Sequence, residues 1–532
     1  MEIEITLKNY RCFPDTNPAK ITLRDGFTSF VGVNNAGKSS ILKFFYEFRP
    51  LFQMWGPNSG DLLVALQGRS VGYSPVPTVF DQAEFFSNTT APRDMEIEIK
   101  LPGVEGTSKN ADCPMANRTV ITVRRPTNNW TAKIFTPNMA FPNMPFTFTG
   151  TEGVLFAADR PAVDLSKIFA AFKEISNAIY IGPFRNAVNV GSNDTYFDIQ
   201  VGTGFIQTWK FYKSGNNKAQ NEVCYKLTED IRRIFRYEDL DISSSADDRS
   251  LHVRIDGRSF KLPEVGSGLT QFILVLATAA IKAPSYILID EPELNLHPSL
   301  QLDFLTTLAS YARCGILFAT HSIGLARAAS DWKYSVRQLQ AGVSEVRELE
   351  GTPRLAEFLG ELSFSSYKEL GFEKILLVEG RTEVKTFQQF LRLLKKDHDV
   401  VLIPMGGNEL INANSEAELA ELTRISSKIS AIIDSERSNA NDPLSANRQR
   451  FAEACGRAKI SCKVLDRRAV EQYLPERAIR KVYGPTYFAL TPFQKRETLS
   501  PMWPKSENWR IAREMTLDEL RATDLGQFLE KL

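Results

Sequence analysis

Gly32-Val33-Asn34-Asn35-Ala36-Gly37-Lys38-Ser39-Ser40 decides how the rest of the chain is read, because it fits the pattern GxxxxGK[ST]. The segment ITLRDGFTSFVGV, within 20–33, leads into it as a strand, and SSILKFFYEF leaves it as a helix. In that setting the glycines let backbone N–H groups close around phosphate oxygens, and the helix N-terminus adds a partial positive charge. Lys38 then reaches the β- and γ-phosphate oxygens while Ser39 offers its hydroxyl to Mg²⁺.

Working outward, Tyr286-Ile287-Leu288-Ile289-Asp290-Glu291 reads as a buried strand that delivers one carboxylate to Mg²⁺, Asp290, and a second placed to polarise water, Glu291. Pro292-Glu293-Leu294-Asn295-Leu296-His297-Pro298 follows directly, and a further strand ends in Thr320-His321-Ser322. Val265-Gly266-Ser267-Gly268-Leu269-Thr270-Gln271 opens the apolar helix TQFILVLATAAI. Taken alone His321 reads as a core histidine, but the strand before it and the serine after it favour a functional position. This order resembles the ABC-type ATPase heads of the RecF/SMC-like group, with Walker A, signature, Walker B, D-loop and switch histidine in sequence. The resemblance implies ATP sandwiched in a head-to-head dimer, Ser267 and Gly268 acting in trans, His321 as the switch, and Arg11 in KNYRCF flanking the nucleotide. Leu269 stands where LSGGQ has its second glycine, and no Q-loop is placed.

The length of 532 residues points to about three structural units at roughly 150 residues each. Lys+Arg 64 against Asp+Glu 63 leave a net charge of +1, so any nucleic-acid binding must use a local basic patch. With 43% hydrophobic and 24% charged residues the composition is that of a globular protein. MEIEITLKNYRCF offers no apolar core of a signal peptide, and the longest apolar stretch, Phe272 to Ile281, is about half of the roughly 20 residues a membrane span needs. Six scattered cysteines without a CxxC pair fit a reduced compartment and structural roles. The expected location is the cytoplasm, with no membrane partner. No NKxD motif follows the P-loop, which favours ATP over GTP, and long heptad arms are absent.

The expected head spans 1–345, with an antiparallel β-rich insertion at about 56–160 and a helical insertion at about 200–250 that could serve dimerisation. A linker over 346–370 leads to a second α/β pattern over 371–485, and a C-terminal extension over 486–532 follows. In that second pattern KILLVEG ends a strand at Glu379, and Glu383 follows on the next helical turn. ISAIIDSE ends another at Asp434, where a period of two puts Glu436 on the same side. Carboxylates gathered at strand C-termini repel unless a cation sits among them, so Mg²⁺ or Mn²⁺ is the natural occupant.

Strand-Glu-Gly, the turn at Gly406-Gly407 and the acidic Asp434-x-Glu436 together resemble a Toprim domain. Lys463-Val-Leu-Asp466-Arg467-Arg468-Ala-Val-Glu471 resembles the segment by which Toprim nucleases of the OLD (overcoming lysogenization defect) family add a late acidic ligand. The order ABC-type head then Toprim is the layout of that family. The fold expected is therefore α/β: an ABC/RecF-like P-loop ATPase head with β-rich and helical insertions, followed by a Rossmann-like Toprim domain. The resemblance implies Glu471 on metal, Lys463 near the scissile phosphate and Glu379 as a catalytic carboxylate. Glu471 and the Arg467/Arg468 pair read about equally well as a solvated helix face.

The implied activity is ATP-regulated DNA cleavage with two metals held by Glu379, Glu383, Asp434, Glu436 and Glu471. A role in bacterial anti-phage defence, alone or beside a helicase or reverse transcriptase, is implied by the resemblance only. Two other classes remain open: an ATP-gated DNA clamp or repair ATPase with an inactive Toprim domain, and a topoisomerase using Tyr473 or Tyr483, neither of which has a recognisable context.

Overall fold

The computed structural model describes residues 2–32, 35–76, 81–87, 93–108, 112–125, 127–148, 153–183, 195–247, 249–340, 342–348, 374–397, 399–405, 419 and 428–532. The chain divides into two compact units. The first comprises Met1–His297, Thr307–His321 and Trp332–Leu349; the second comprises Pro298–Thr306, Ser322–Asp331 and Glu350–Leu532.

Two six-stranded sheets carry the first unit. One is antiparallel, in the order Ala19–Leu23, Ile3–Lys8, Met95–Lys100, Arg118–Val123, Asn129–Phe135, Val71–Gly72. Its strands alternate in sequence, as MEIEIK does, because one face is buried and the other is wetter. Ile5 pairs with both Ile21 and Ile99, which lines up the apolar face across three strands. Most of the strands expected between 56 and 160 thus extend a sheet begun by the N-terminal strands, while Thr147–Phe148 and Val154–Ala157 join Arg160–Asp164 in a small sheet of their own.

The other sheet runs Ile179–Ile181, Tyr286–Asp290, Gly315–Thr320, Gly26–Val31, Trp332–Gln340, Val343–Glu348, parallel except for its last pair. Its central strands are continuous apolar runs, and Tyr286–Asp290 and Gly315–Thr320 are buried throughout. The helix Lys38–Glu47 buries Ile41, Leu42, Phe44 and Phe45 in the core of this unit. The single strand expected over 20–33 is in fact two. Gly26 adopts φ 101, a left-handed conformation that breaks the strand, so Ala19–Leu23 joins the antiparallel sheet and Gly26–Val31 the parallel one. Where mixed polar helices were expected, Gly202–Ser214 and Lys218–Phe235 form a helical pair, the second capped by the Asn217 side chain.

The second unit holds a four-stranded, all-parallel sheet in the order Val400–Pro404, Lys374–Val378, Ile429–Ile433, Ser461–Val464. The chain runs outward from Lys374–Val378 to one side and returns on the other, so the strand order reverses between Lys374–Val378 and Ile429–Ile433. Open α/β sheets bind ligands at the C-terminal end of such a point. The tail beyond 485 belongs to this core: Trp503 and Trp509 are buried, and the helix Asn508–Arg513 packs on the helix Arg381–Leu393. The expected linker falls almost wholly outside the described residues. Among the described residues no helix is long and apolar enough to cross a membrane, and all six cysteines are free thiols.

Candidate functional site

In the first unit, strand register brings the motifs together. Asp290 pairs with Ala319, Ala319 with Phe30, and Thr320 with Val31, so Gly32, Glu291 and His321 all begin loops at the same edge of the sheet. There they surround a cavity of about 820 Å³ lined by Arg11, Asn35, Lys38, Ser39, Glu291 and His321, among others. Ala36, Gly37 and Ser40 also line it, while Asn34 lies outside the described residues. Both P-loop glycines are required by geometry. A Cβ at Gly32 would collide with the Val336 carbonyl oxygen, and Gly37 takes φ 100 as it caps the helix.

Lys38 donates to the Gly32 carbonyl at 2.8 Å and its Nζ lies 3.4 Å from His321 Nε2. Burial lowers the Lys38 pKa, against the pull of Asp290, Glu291 and Glu293. Asp290 is buried, which raises its carboxyl pKa, and the hydrogen bond from Ser39 opposes that. Asp290 Oδ1 is buried without a hydrogen-bond partner among the described residues. An orphan carboxylate oxygen beside the P-loop serine fits the hard, oxygen-seeking Mg²⁺ that accompanies a nucleotide. Glu291 takes φ 51, and its Oε1 lies 3.1 Å from His321 Nε2, a pair suited to orienting a water at the γ-phosphate. Glu293 fixes the switch strand end, accepting from Thr320 Oγ1 at 2.6 Å and from the His321 amide at 3.0 Å. Arg11 lines the cavity while donating to Glu47 at 2.6 Å.

Ser267 starts the helix Ser267–Lys282 and is exposed outside this cavity, and Gly268 faces the D-loop, where a Cβ would come to 3.0 Å from the Asn295 carbonyl oxygen. Leu269, where LSGGQ would have glycine, is buried in the core, so at that position packing has replaced backbone exposure.

In the second unit Glu379 and Asp434 follow the two strands that flank the reversal point, and the Asp434 amide donates to Glu379 Oε2 at 3.0 Å. Glu383 is the third residue of the helix Arg381–Leu393, where its carboxylate accepts from the Gly380 amide at 3.1 Å. Glu471 sits in the turn Val470–Tyr473 and accepts from Asn508 Nδ2 at 3.1 Å. Lys505 Nζ stands 3.5 Å from both Glu383 Oε1 and Glu471 Oε1. Burial pushes the Glu383 carboxyl up to about 7, with Lys505 opposing and Glu379 adding to the rise. Asp434 is also raised, by burial first and then by Glu383 and Glu379. Burial works against the Lys505 ammonium, but Glu471, Glu383, Asp434 and Glu379 outweigh it and raise its pKa. The Asp434 side chain, on a residue 6% exposed, accepts no hydrogen bond among the described residues. These oxygen donors suit Mg²⁺ or Mn²⁺ in kind. Among the described residues, however, no three His, Cys, Asp or Glu side chains already surround one cation position.

Glu436 departs from the period-two expectation. The strand ends at Ile433, Glu436 takes φ 54, and its half-exposed side chain pairs with Arg448 at 3.0 Å. Lys463 is held by Asp466 and Asp524, at 2.8 and 3.0 Å, and pairs with none of Glu379, Glu383, Asp434 or Glu471. Tyr473 is buried with its hydroxyl accepting from the Arg467 amide, which removes it as a nucleophile toward DNA. Gly406 and Gly407 lie outside the described residues. Sequence reasoning missed Lys505, in PKSEN, and Arg448, in SANRQR, since neither stretch carries a motif.

Residues 1–75 match the family described as "AAA ATPase domain", and residues 168–327 match that described as "AAA domain, putative AbiEii toxin, Type IV TA system". The two matches flank most of the inserted strands. No curated protein matches the chain. Similar solved structures include an SMC head domain from Thermotoga maritima, at 15% identity and TM-score 0.34 over 66% of this chain and 100% of that one. An SmcHead bound to the C-winged helix domain of ScpA gives 14% and 0.37 over 65% and 97%. An Smc head domain with an extended coiled coil, bound to the C-terminal domain of ScpA derived from Pyrococcus furiosus, gives 13% and 0.34 over 69% and 100%. The first unit has an α/β fold that carries P-loop ATPase motifs, and both ATPase-family matches fall mainly within it.

Proposed function

We propose that the chain is an ATP-regulated, divalent-metal-dependent DNA endonuclease of the OLD type, with a Toprim domain as its second unit. One observation carries this reading: Glu379, Glu383, Asp434 and Glu471 gather with Lys505 at the strand-order reversal of a parallel sheet. Glu383, Asp434 and Glu471 would hold the cation, which when bound supplies Lewis-acid polarisation of the phosphate and a water of lowered pKa. Lys505 would turn from Glu383 and Glu471 to the scissile phosphate and neutralise charge there. In the head, Lys38 would bind the ATP phosphates, Ser39 and Asp290 would hold Mg²⁺, and Glu291 with His321 would orient the attacking water. Exposed Ser267, with half-buried Gly268 beside it, could meet nucleotide on a second head, which supports a dimer that opens and closes with ATP. The toxin–antitoxin name of one matched family agrees with a defence setting.

The cations already held by the acids favour a second reading, an ATP-gated DNA clamp with an inactive second unit. Plasmid cleavage in Mg²⁺ or Mn²⁺, with and without ATP, separates the two. Wild type should cut, and Asp434→Asn should lose more than the roughly 10–100-fold typical of outer-shell partners. If neither protein cuts while both hydrolyse ATP, the clamp is the better account.

A further inference from the structure

Arg448, on the helix Ala446–Arg457, is 2% exposed and lies among the acids of the second unit. Its Nη1 and Nη2 donate to the two oxygens of Glu379, each at 2.8 Å, in an end-on, bidentate fork. The same Nη1 donates to the Asp434 carbonyl at 2.7 Å, and Nη2 pairs with Glu436 at 3.0 Å. Glu379 Oε2 also accepts the Asp434 amide. Both oxygens of Glu379 are therefore engaged, and the charge of Glu436 is met by the same guanidinium. A guanidinium cannot be deprotonated in a protein, so Arg448 stays cationic at any working pH. Expelling it would leave a buried charge without its partner, which is strongly unfavourable.

Glu383, Asp434 and Glu471 differ from this pair. Their protein cation is Lys505, a single ammonium 3.5 Å from two of them on a flexible stem, and the Asp434 side chain accepts no hydrogen bond among the described residues. A divalent ion can take that place without breaking a fork. The acids thus separate into a set sealed by arginine and a set open to exchange.

We infer that Arg448 permanently fills the place of a second metal, so that the second unit takes one divalent cation per chain, at Glu383, Asp434 and Glu471, with Glu379 as a positioning carboxylate. This rests on the nuclease reading above and narrows it from two metals to one.

The test is a count of Mn²⁺ by equilibrium dialysis with electron paramagnetic resonance, on the nucleotide-free full chain carrying Asp290→Asn to silence the head. One Mn²⁺ per chain is expected, with none in Glu383→Gln/Glu471→Gln. Glu379→Gln should keep its one Mn²⁺ with Kd weakened by no more than about 10–100-fold, as for an outer-shell partner. Arg448→Met frees Glu379 and Glu436 and should add a second Mn²⁺; the wild-type count stands even where this variant fails to fold. Two Mn²⁺ in the Arg448 protein, or loss of binding in Glu379→Gln, overturns the inference and leaves the nuclease reading intact. No Mn²⁺ at all overturns both.

Discussion

Lys38→Ala should lower ATP turnover by on the order of 10²–10³-fold, the effect expected when a donor aimed at developing transition-state charge is removed. Lys38 is buried, which disfavours its ammonium, and the neighbouring Asp290, Glu291 and Glu293 oppose that cost. Lys38 donates to the Gly32 carbonyl beside His321. The incoming phosphates replace that neutral carbonyl with full charges, so binding and catalysis both draw on the same group. Nucleotide affinity should therefore fall together with kcat. His321→Ala should behave differently, because the imidazole meets Glu291 at 3.1 Å and bears on the attacking water. It should lower kcat with little change in KM. Steady-state phosphate release and titration with a fluorescent ATP analogue separate the two variants. Turnover of Lys38→Ala within threefold of wild type would rule out the assigned role.

The head was legible because each of its motifs is contiguous. A phosphate loop needs Gly37, Lys38 and Ser39 adjacent in sequence, and Asp290-Glu291 and His321 each end an uninterrupted apolar strand. Strand-end acids in the second unit, Glu379 and Asp434, were legible for the same reason. The period-two argument failed at Glu436 because it assumes the strand continues, whereas the backbone turns left-handed there. Arg448 and Lys505 were not legible at all. Each lies in a polar stretch that reads as surface, and only tertiary packing buries Arg448 while its neighbour Arg450 stays exposed. A charge opposite a cluster of acids is dictated by the acids, but nothing local says which cation of the chain will supply it. Leu269 shows the converse, a departure from a motif explained by core packing that sequence alone could not weigh.

Lys505→Ala should reduce DNA cleavage by on the order of 10²–10³-fold, as loss of a phosphate-facing donor predicts. It should also change the stability of the metal-free protein in a pH-dependent way, which a merely remote lysine would not do. Glu383 has a folded pKa of about 7 against an ordinary 4.5, so the folded state holds its proton more tightly than the unfolded state. That contribution is fully present below about pH 4.5 and is lost as pH rises through 7, a total on the order of 3 kcal/mol. Lys505 opposes the rise, so its removal pushes Glu383 and Asp434 higher and extends the loss to more alkaline pH. In EDTA, the Tm of Lys505→Ala should match wild type near pH 5 and fall below it by pH 8. Glu383→Gln, which cannot ionise, should flatten the wild-type slope between those values. If Lys505→Ala loses cleavage while its Tm tracks wild type across the whole range, Lys505 does not compensate these carboxylates in solution. If the Tm profile shifts as expected while cleavage is unchanged, the ammonium is a structural counter-ion, and the phosphate must meet another positive group.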